Sequence, residues 1–131
     1  MWWRRRYQQL SEPEVGRLGE RIAARRLRRG GYRIAARNFS CPCGEIDLIA
    51  LDGPSIVFVE VKTRRDDRAT DPENSVHAHK RRQITAAAKY YLTRIRGQDR
   101  PCRFDVISIV LRDGADPEVE HFVDAFGPAP R

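Results

Sequence analysis

Apolar residues along the chain change period several times, and each change marks an element. Val15, Leu18, Ile22 and Leu27 recur at helical spacing, behind Ser11 with Glu14 three residues on and Pro13 between them. Ser-x-x-Glu is a capping box and Pro suits a first turn, so a helix begins near Ser11. Gly30-Gly31 stops it. Residues 32–37 then read as a short strand. Residues 44–51 alternate as a second strand, and residues 55–63, rich in Val, Ile and Phe, form a third. Asp52-Gly53-Pro54 is the turn between them, and residues 64–74 read as a polar loop. Ile84, Ala87, Ala88, Tyr91 and Ile95 restore the helical period and predict a second helix over 75–96, with Lys80 on the same line one turn before Ile84. Strands over 103–111 and 119–126 follow, parted by Asp113-Gly114. The order α-β-β-β-α-β-β predicts an α/β fold with a mixed central sheet flanked by helices.

Length and composition narrow the class. At 131 residues the chain suits a single domain, here 11–126, between a basic arm over 1–10 and a flexible tail over 127–131. The arm's Trp2, Trp3 and Tyr7 are expected to pack back on the domain rather than stack on bases. A hydrophobic share of 40% is enough for a core. No apolar run approaches the roughly 20 residues that span a bilayer, and the start lacks the apolar stretch of a secretory signal. Three cysteines, an odd number, argue for a reducing compartment. The expectation is a cytoplasmic protein with no membrane partner.

The placement of charge says more than its net value of +7. Residues 1–40 carry eleven Arg against three Glu, and residues 61–103 carry twelve bases against five acids. Between them, residues 41–60 hold four acids, Glu45, Asp47, Asp52 and Glu60, and no base. Basic surfaces attract polyanions by releasing condensed counterions, so nucleic acid is the first partner to consider. A merely soluble charged surface is the plain alternative, and the excess of Arg over Lys, 22 to 3, fits codon bias equally well.

The acidic island holds the candidate chemistry. Strand alternation puts Glu45, Asp47 and Ile49 on one face, and Glu60 and Lys62 on a face with Ile56 and Phe58. A four-residue loop over 52–55 pairs Leu51 with Ile56 and so sets Asp47 opposite Glu60, with both pointing the same way. A three-residue loop would set them on opposite faces. With the first register, two carboxylates and an ammonium share one patch. Mg²⁺ takes one or two carboxylates plus water and phosphate oxygens, and a nearby Lys can orient an attacking water or offset charge on a phosphate. That is a sufficient kit for cutting a phosphodiester. An amphipathic hairpin with Glu60 and Lys62 as an ordinary ion pair is the alternative.

The ordered set Arg17-Leu18-Gly19-Glu20, Ala23-Ala24, Gly31-Tyr32, Arg37-Asn38, Gly44-Glu45-Ile46-Asp47-Leu48-Ile49-Ala50 and Val57-Phe58-Val59-Glu60-Val61-Lys62-Thr63-Arg64 resembles the YraN family of bacterial proteins. Ser75-Val76, Lys80, Ile84, Ala87-Ala88, Tyr91-Leu92 and Arg103-Phe104-Asp105-Val106 continue it, so the likeness covers roughly residues 13–110. That family is similar to archaeal Holliday-junction resolvases and to the PD-(D/E)XK restriction-endonuclease-like superfamily. The resemblance implies a restriction-endonuclease-like αβββαβ core, Mg²⁺ dependence with Mn²⁺ as substitute, and DNA, duplex or branched, as substrate. Asp47 matches the metal-binding Asp, Glu60 and Lys62 the acidic and basic residues of the second half-motif, and the Val61 carbonyl a further ligand. Glu20 matches an acid on the first helix that completes the site, against the alternative of a surface ion pair with Arg17. Lys80, Arg64 and Arg17 would meet nucleic acid, and cutting both strands of a junction would imply a homodimer. Cys41-Pro42-Cys43 and Asp71-Pro72-Glu73 depart from the family pattern at the rim of the site.

Two other readings belong to other classes: a non-catalytic nucleic-acid-binding module of the same fold, and an RNA-processing nuclease. Cys41 and Cys43 with His77 and His79 do not have the spacing of common zinc sites. His121 has no evident partner in the sequence. The absence of a Gly-rich phosphate loop argues against nucleoside-triphosphate chemistry.

Overall fold

A computed structural model describes residues 7–65 and 76–128. The order of elements is a 3₁₀ turn (Tyr7–Gln9), α1 (Glu12–Arg29), β1 (Arg33–Cys41), β2 (Gly44–Asp52), β3 (Ser55–Arg65), α2 (Ala78–Ile95), β4 (Cys102–Leu111) and β5 (Glu118–Phe126). The strands form one mixed sheet in the order β1-β2-β3-β4-β5. Only β3 and β4 pair in parallel, as α2 carries the chain between them. This α/β architecture is compatible with a restriction-endonuclease-like core. Trp2, Trp3, Ser75, the loop residues 66–74 and the last tail residues, 129–131, lie outside the described residues.

Ser11 caps α1 as its sequence predicts, its hydroxyl accepting from the Glu14 N–H and its own N–H bonding the Glu14 carboxylate. The buried face of α1 is narrower than the Val15-Leu18-Ile22-Leu27 line. It runs through Val15, Gly19, Ala23, Ala24 and Leu27, while Leu18 and Ile22 stay partly buried at its margin. Small residues at the centre let the helix lie close on the sheet. A Cβ at Gly19 would overlap the Thr63 side chain of β3, so only Gly permits that approach. The helix packs with Leu48, Ala50, Val57, Val59, Ile107 and Ile109. On the opposite face, Ile84, Ala87 and Ala88 of α2 pack with Ile46, Ile49, Ile56, Phe58 and Phe104. Ile95, expected on this inner line, is 42% exposed, because it sits on the last turn where α2 ends.

Two strands run longer than expected. Arg64 and Arg65, read from sequence as loop, continue β3 opposite Val110 and Leu111, because the parallel ladder with β4 holds the polar residues in strand. Arg65 then donates to the Leu10 carbonyl at 2.7 Å and pairs with Glu12, which ties Tyr7–Leu10 to the domain. Tyr7 is buried in the α1 core. β1 reaches Cys41 rather than Arg37, since Phe39 and Ser40 pair with Ile46 and Glu45 of β2. The tip of this hairpin leans toward α2: a Cβ at Gly44 would lie 2.8 Å from the Gln83 carbonyl.

Candidate functional site: a carboxylate fork between β2 and β3

The β2–β3 register pairs Leu51 with Ile56 and continues to Leu48 with Val59. The next step is Asp47 with Glu60, and there the ladder stops. Instead of a cross-strand backbone bond, the Val61 N–H donates to Oδ2 of Asp47 at 2.8 Å. One arm of the fork leans with β1 toward α2, and the other continues along β4. Asp47 and Glu60 lie near enough inside the opening for each carboxyl to act on the other's charge. Burial and the Glu60 carboxyl push Asp47 from 3.8 up to about 8, against the opposing Val61 N–H and Lys80 charge. A second charge beside Glu60 in this cleft would repel it, so Asp47 keeps its proton to higher pH.

Helices on both faces complete the fork. Lys80, in the first turn of α2, lies with Nζ 3.6 Å from Oε2 of Glu60. Glu20 comes from the other side on α1, beside the close contact at Gly19. Burial and the nearby Asp47 raise its pKa, while a hydrogen bond with Asn38 and the charge of Arg37 work against that rise. Glu20 thus faces Asn38, Asp47 and Arg37, and Arg17 instead acts on Glu14. Glu45 is exposed and its charge reaches Glu20. Lys62, partly buried, shares the Glu60 face of β3 by strand alternation. Arg64 lies farther along that face, while Arg17 stands exposed on α1.

Sequence reasoning missed two features. Among the described residues the Nε of Arg81, next to Lys80, is buried without an acceptor, and the His77 side chain makes no capping bond at the start of α2, whose first turn has no acid. A helix start offers N–H donors and a positive dipole end, which suit an anion. Its sequence signal was the basic pair Lys80-Arg81 in a first turn that lacks Asp and Glu.

The donor set is all oxygen, which suits Mg²⁺ or Mn²⁺ and not zinc. Asp47 and Glu60 would hold such a cation, which would supply charge to offset theirs. Among the described residues no three His, Cys, Asp or Glu side chains gather closely enough to hold a metal unaided. Water and phosphate oxygens would complete the shell, as is usual for Mg²⁺. Cys41 and Cys43 approach each other at the β1–β2 turn, with sulfurs 2.7 Å apart, and no third ligand joins them among the described residues.

A separate polar cluster lies on the α1 face of β4. His121, for which no partner was expected, bonds the fully buried Asp105 at 2.7 Å. Arg103 Nε and the Asp124 N–H also donate to Asp105, at 3.1 and 2.9 Å. Burial would raise the Asp105 pKa, but these donors outweigh it and hold the carboxyl below its ordinary value. Arg103 reaches on to Tyr32 Oη and Asp52. With its donors and acceptors matched, the cluster reads as a pin between β4 and β5.

A family model described as uncharacterised protein family UPF0102 matches residues 19–109. A "UPF0102 protein" from Geotalea uraniireducens is 51% identical over 112 residues, covering 86% of this chain and 88% of its own. One from Geobacter metallireducens is 45% identical over 117 residues, covering 89% and 95%. One from Symbiobacterium thermophilum is 50% identical over 95 residues, covering 72% and 80%.

Proposed function

The chain belongs to the uncharacterised protein family UPF0102, and from the geometry of its fork we propose a divalent-metal-dependent nuclease that hydrolyses DNA. The observation that carries this reading is the Asp47–Glu60 carboxyl pair, held at a point where two buried strands part. A like-charged pair costs stability in a folded domain unless it is used. Here it lies beside Lys62, Lys80 and the start of α2.

Asp47 and Glu60, with Glu20 in reach, would hold the cation. The bound cation supplies positive charge that acidifies a water and offsets charge building on the phosphate. The Val61 N–H fixes the Asp47 carboxylate, so one oxygen is aimed and the other left to bind. Lys62 orients the attacking water or neutralises a non-bridging phosphate oxygen. Water oxygen bonds to phosphorus as the opposite sugar oxygen leaves in line, and the water proton passes to solvent. Lys80 exchanges Glu60 for a phosphate oxygen, and the orphan Arg81 Nε gains an acceptor. Among the described residues no third ligand is preassembled, which favours, as second reading, a binding module of the same fold without catalysis.

The test is cleavage of labelled four-way junction, flap, duplex, single-stranded DNA and RNA, with Mg²⁺, Mn²⁺ or chelator. Cutting that needs metal and disappears in both Asp47→Ala and Lys62→Ala is expected. Salt-sensitive binding without cutting, unchanged by either substitution, would establish the binding module instead. RNA as the better substrate would make the protein an RNA-processing nuclease.

A further inference from the structure

The arginines of α1 have no role in the fork, and they are unusually placed. Leu18 and Ile22, pushed to the margin of the helix's buried face, floor a cavity of about 780 Å³. Arg21, Arg25, Arg26, Arg28 and Arg29 of α1 and Arg37 of β1 line it. Asp116 is the one acid among the lining residues. The α1 arginines are exposed, and none of the five makes an ion pair with a described residue. Six guanidiniums gathered around one carboxylate repel one another, and a surface salt bridge would have been easy to place there. Nothing in the packing needs them, since the buried residues of α1 are all on the other stripe.

We propose that this arginine-lined face of α1 is a second nucleic-acid contact, which seats the phosphate backbone of a duplex arm leading away from the carboxylate fork. From Arg21 to Arg29 the helix rises about 12 Å, a length over which B-DNA presents about seven phosphates. A single phosphate or small anion would leave most of the guanidiniums unmatched, so the occupant is a polyanion. The row is continuous with the fork, because Arg37 both lines the cavity and acts on Glu20. A backbone lying on α1 therefore arrives at the carboxylates. An anionic membrane fits less well, as Leu18 and Ile22 lie partly buried below the arginines rather than projecting beyond them. The inference rests on the nucleic-acid part of the function proposed above and not on catalysis.

The test compares Arg25→Gln/Arg29→Gln with Lys89→Gln/Arg94→Gln, exposed positions on α2 that remove the same charge elsewhere. Binding of a labelled duplex is measured against salt concentration, in chelator so that no cutting occurs. The groove double should lower the slope of log K against log salt by about 2, which is about thirtyfold in affinity near ~0.15 M salt. The α2 double should leave the slope where it was. An unchanged slope in the groove double, an equal drop in the α2 double, or no duplex binding by the unaltered protein would each overturn the proposal. So would a groove double that loses only binding to anionic phosphatidylserine vesicles. Failure of cleavage under every condition would sink the nuclease reading and leave the slope comparison standing. Cleavage with an unchanged slope would sink the groove alone.

Discussion

Replacing Asp47 by Asn should stabilise the metal-free protein, and the gain should grow with pH. Asn has the shape of the protonated carboxyl. Its oxygen can still accept from the Val61 N–H, so that hydrogen bond at the fork survives. The difference lies in the proton. In the unfolded chain Asp47 titrates at 3.8, whereas in the fold burial and Glu60 push it up to about 8. Between those values the folded state keeps a proton that the unfolded state has released. Stability from this group is complete below 3.8, falls as pH rises through the window, and is gone above about 8. At about 1.4 kcal/mol per pH unit the ceiling on that loss is about 6 kcal/mol. The fork can open to water, so the measured gain should be about 2 kcal/mol. Urea unfolding of both proteins in chelator, from pH 4 to 9, gives the difference curve, and contributions from groups that do not interact with residue 47 cancel in it. It should start near zero at pH 4, rise through the window and level off above pH 8. Millimolar Mg²⁺ should then stabilise the wild type and not the Asn variant. A flat difference curve, or a wild type that gains on the variant as pH rises, would refute the description of Asp47 as a carboxyl that the fold keeps protonated.

Two further perturbations test what holds the site in place. Asp105→Asn leaves Arg103 and His121 facing a neutral acceptor inside the sheet and should cost about 3 kcal/mol in urea unfolding. Because Asp105 is held below its ordinary value, its stabilisation is present above 3.8 and is lost as pH falls through the lower folded pKa. Wild type should therefore lose its advantage over the Asn variant in acid, and an advantage unchanged down to pH 2 would contradict the pairing. Gly19→Ala drives a methyl into Thr63 and should cost about 2 kcal/mol. Thr63→Ala should recover part of that loss in a double-mutant cycle, and strictly additive losses would show that the helix and strand are not in contact there.

Much of the fork was legible from residue types alone, apart from a choice between two loop lengths. Once the loop over 52–55 sets Leu51 against Ile56, alternation carries the register to Asp47 and Glu60 with no further information. Helical period likewise gave Lys80 its place one turn before Ile84, and it meets Glu60 there. What escaped was set by contacts between elements distant in sequence. No local pattern says that polar Arg64 and Arg65 stay in strand, since their partners are Val110 and Leu111, nearly fifty residues on. His121 looked solitary because Asp105 sits on a neighbouring strand and the Asp124 N–H turns inward only through its positive φ of 54°. The face of α1 was misjudged for a related reason. A hydrophobicity count favours Leu18 and Ile22, but close packing on a sheet favours Gly19 and Ala23, and the bulky residues give way. That rotation turns Glu20 toward Asp47 on one side of the helix and leaves the arginines exposed on the other. One helix thus presents an acid to the fork and a basic row to solvent, and the close approach at Gly19 sets both.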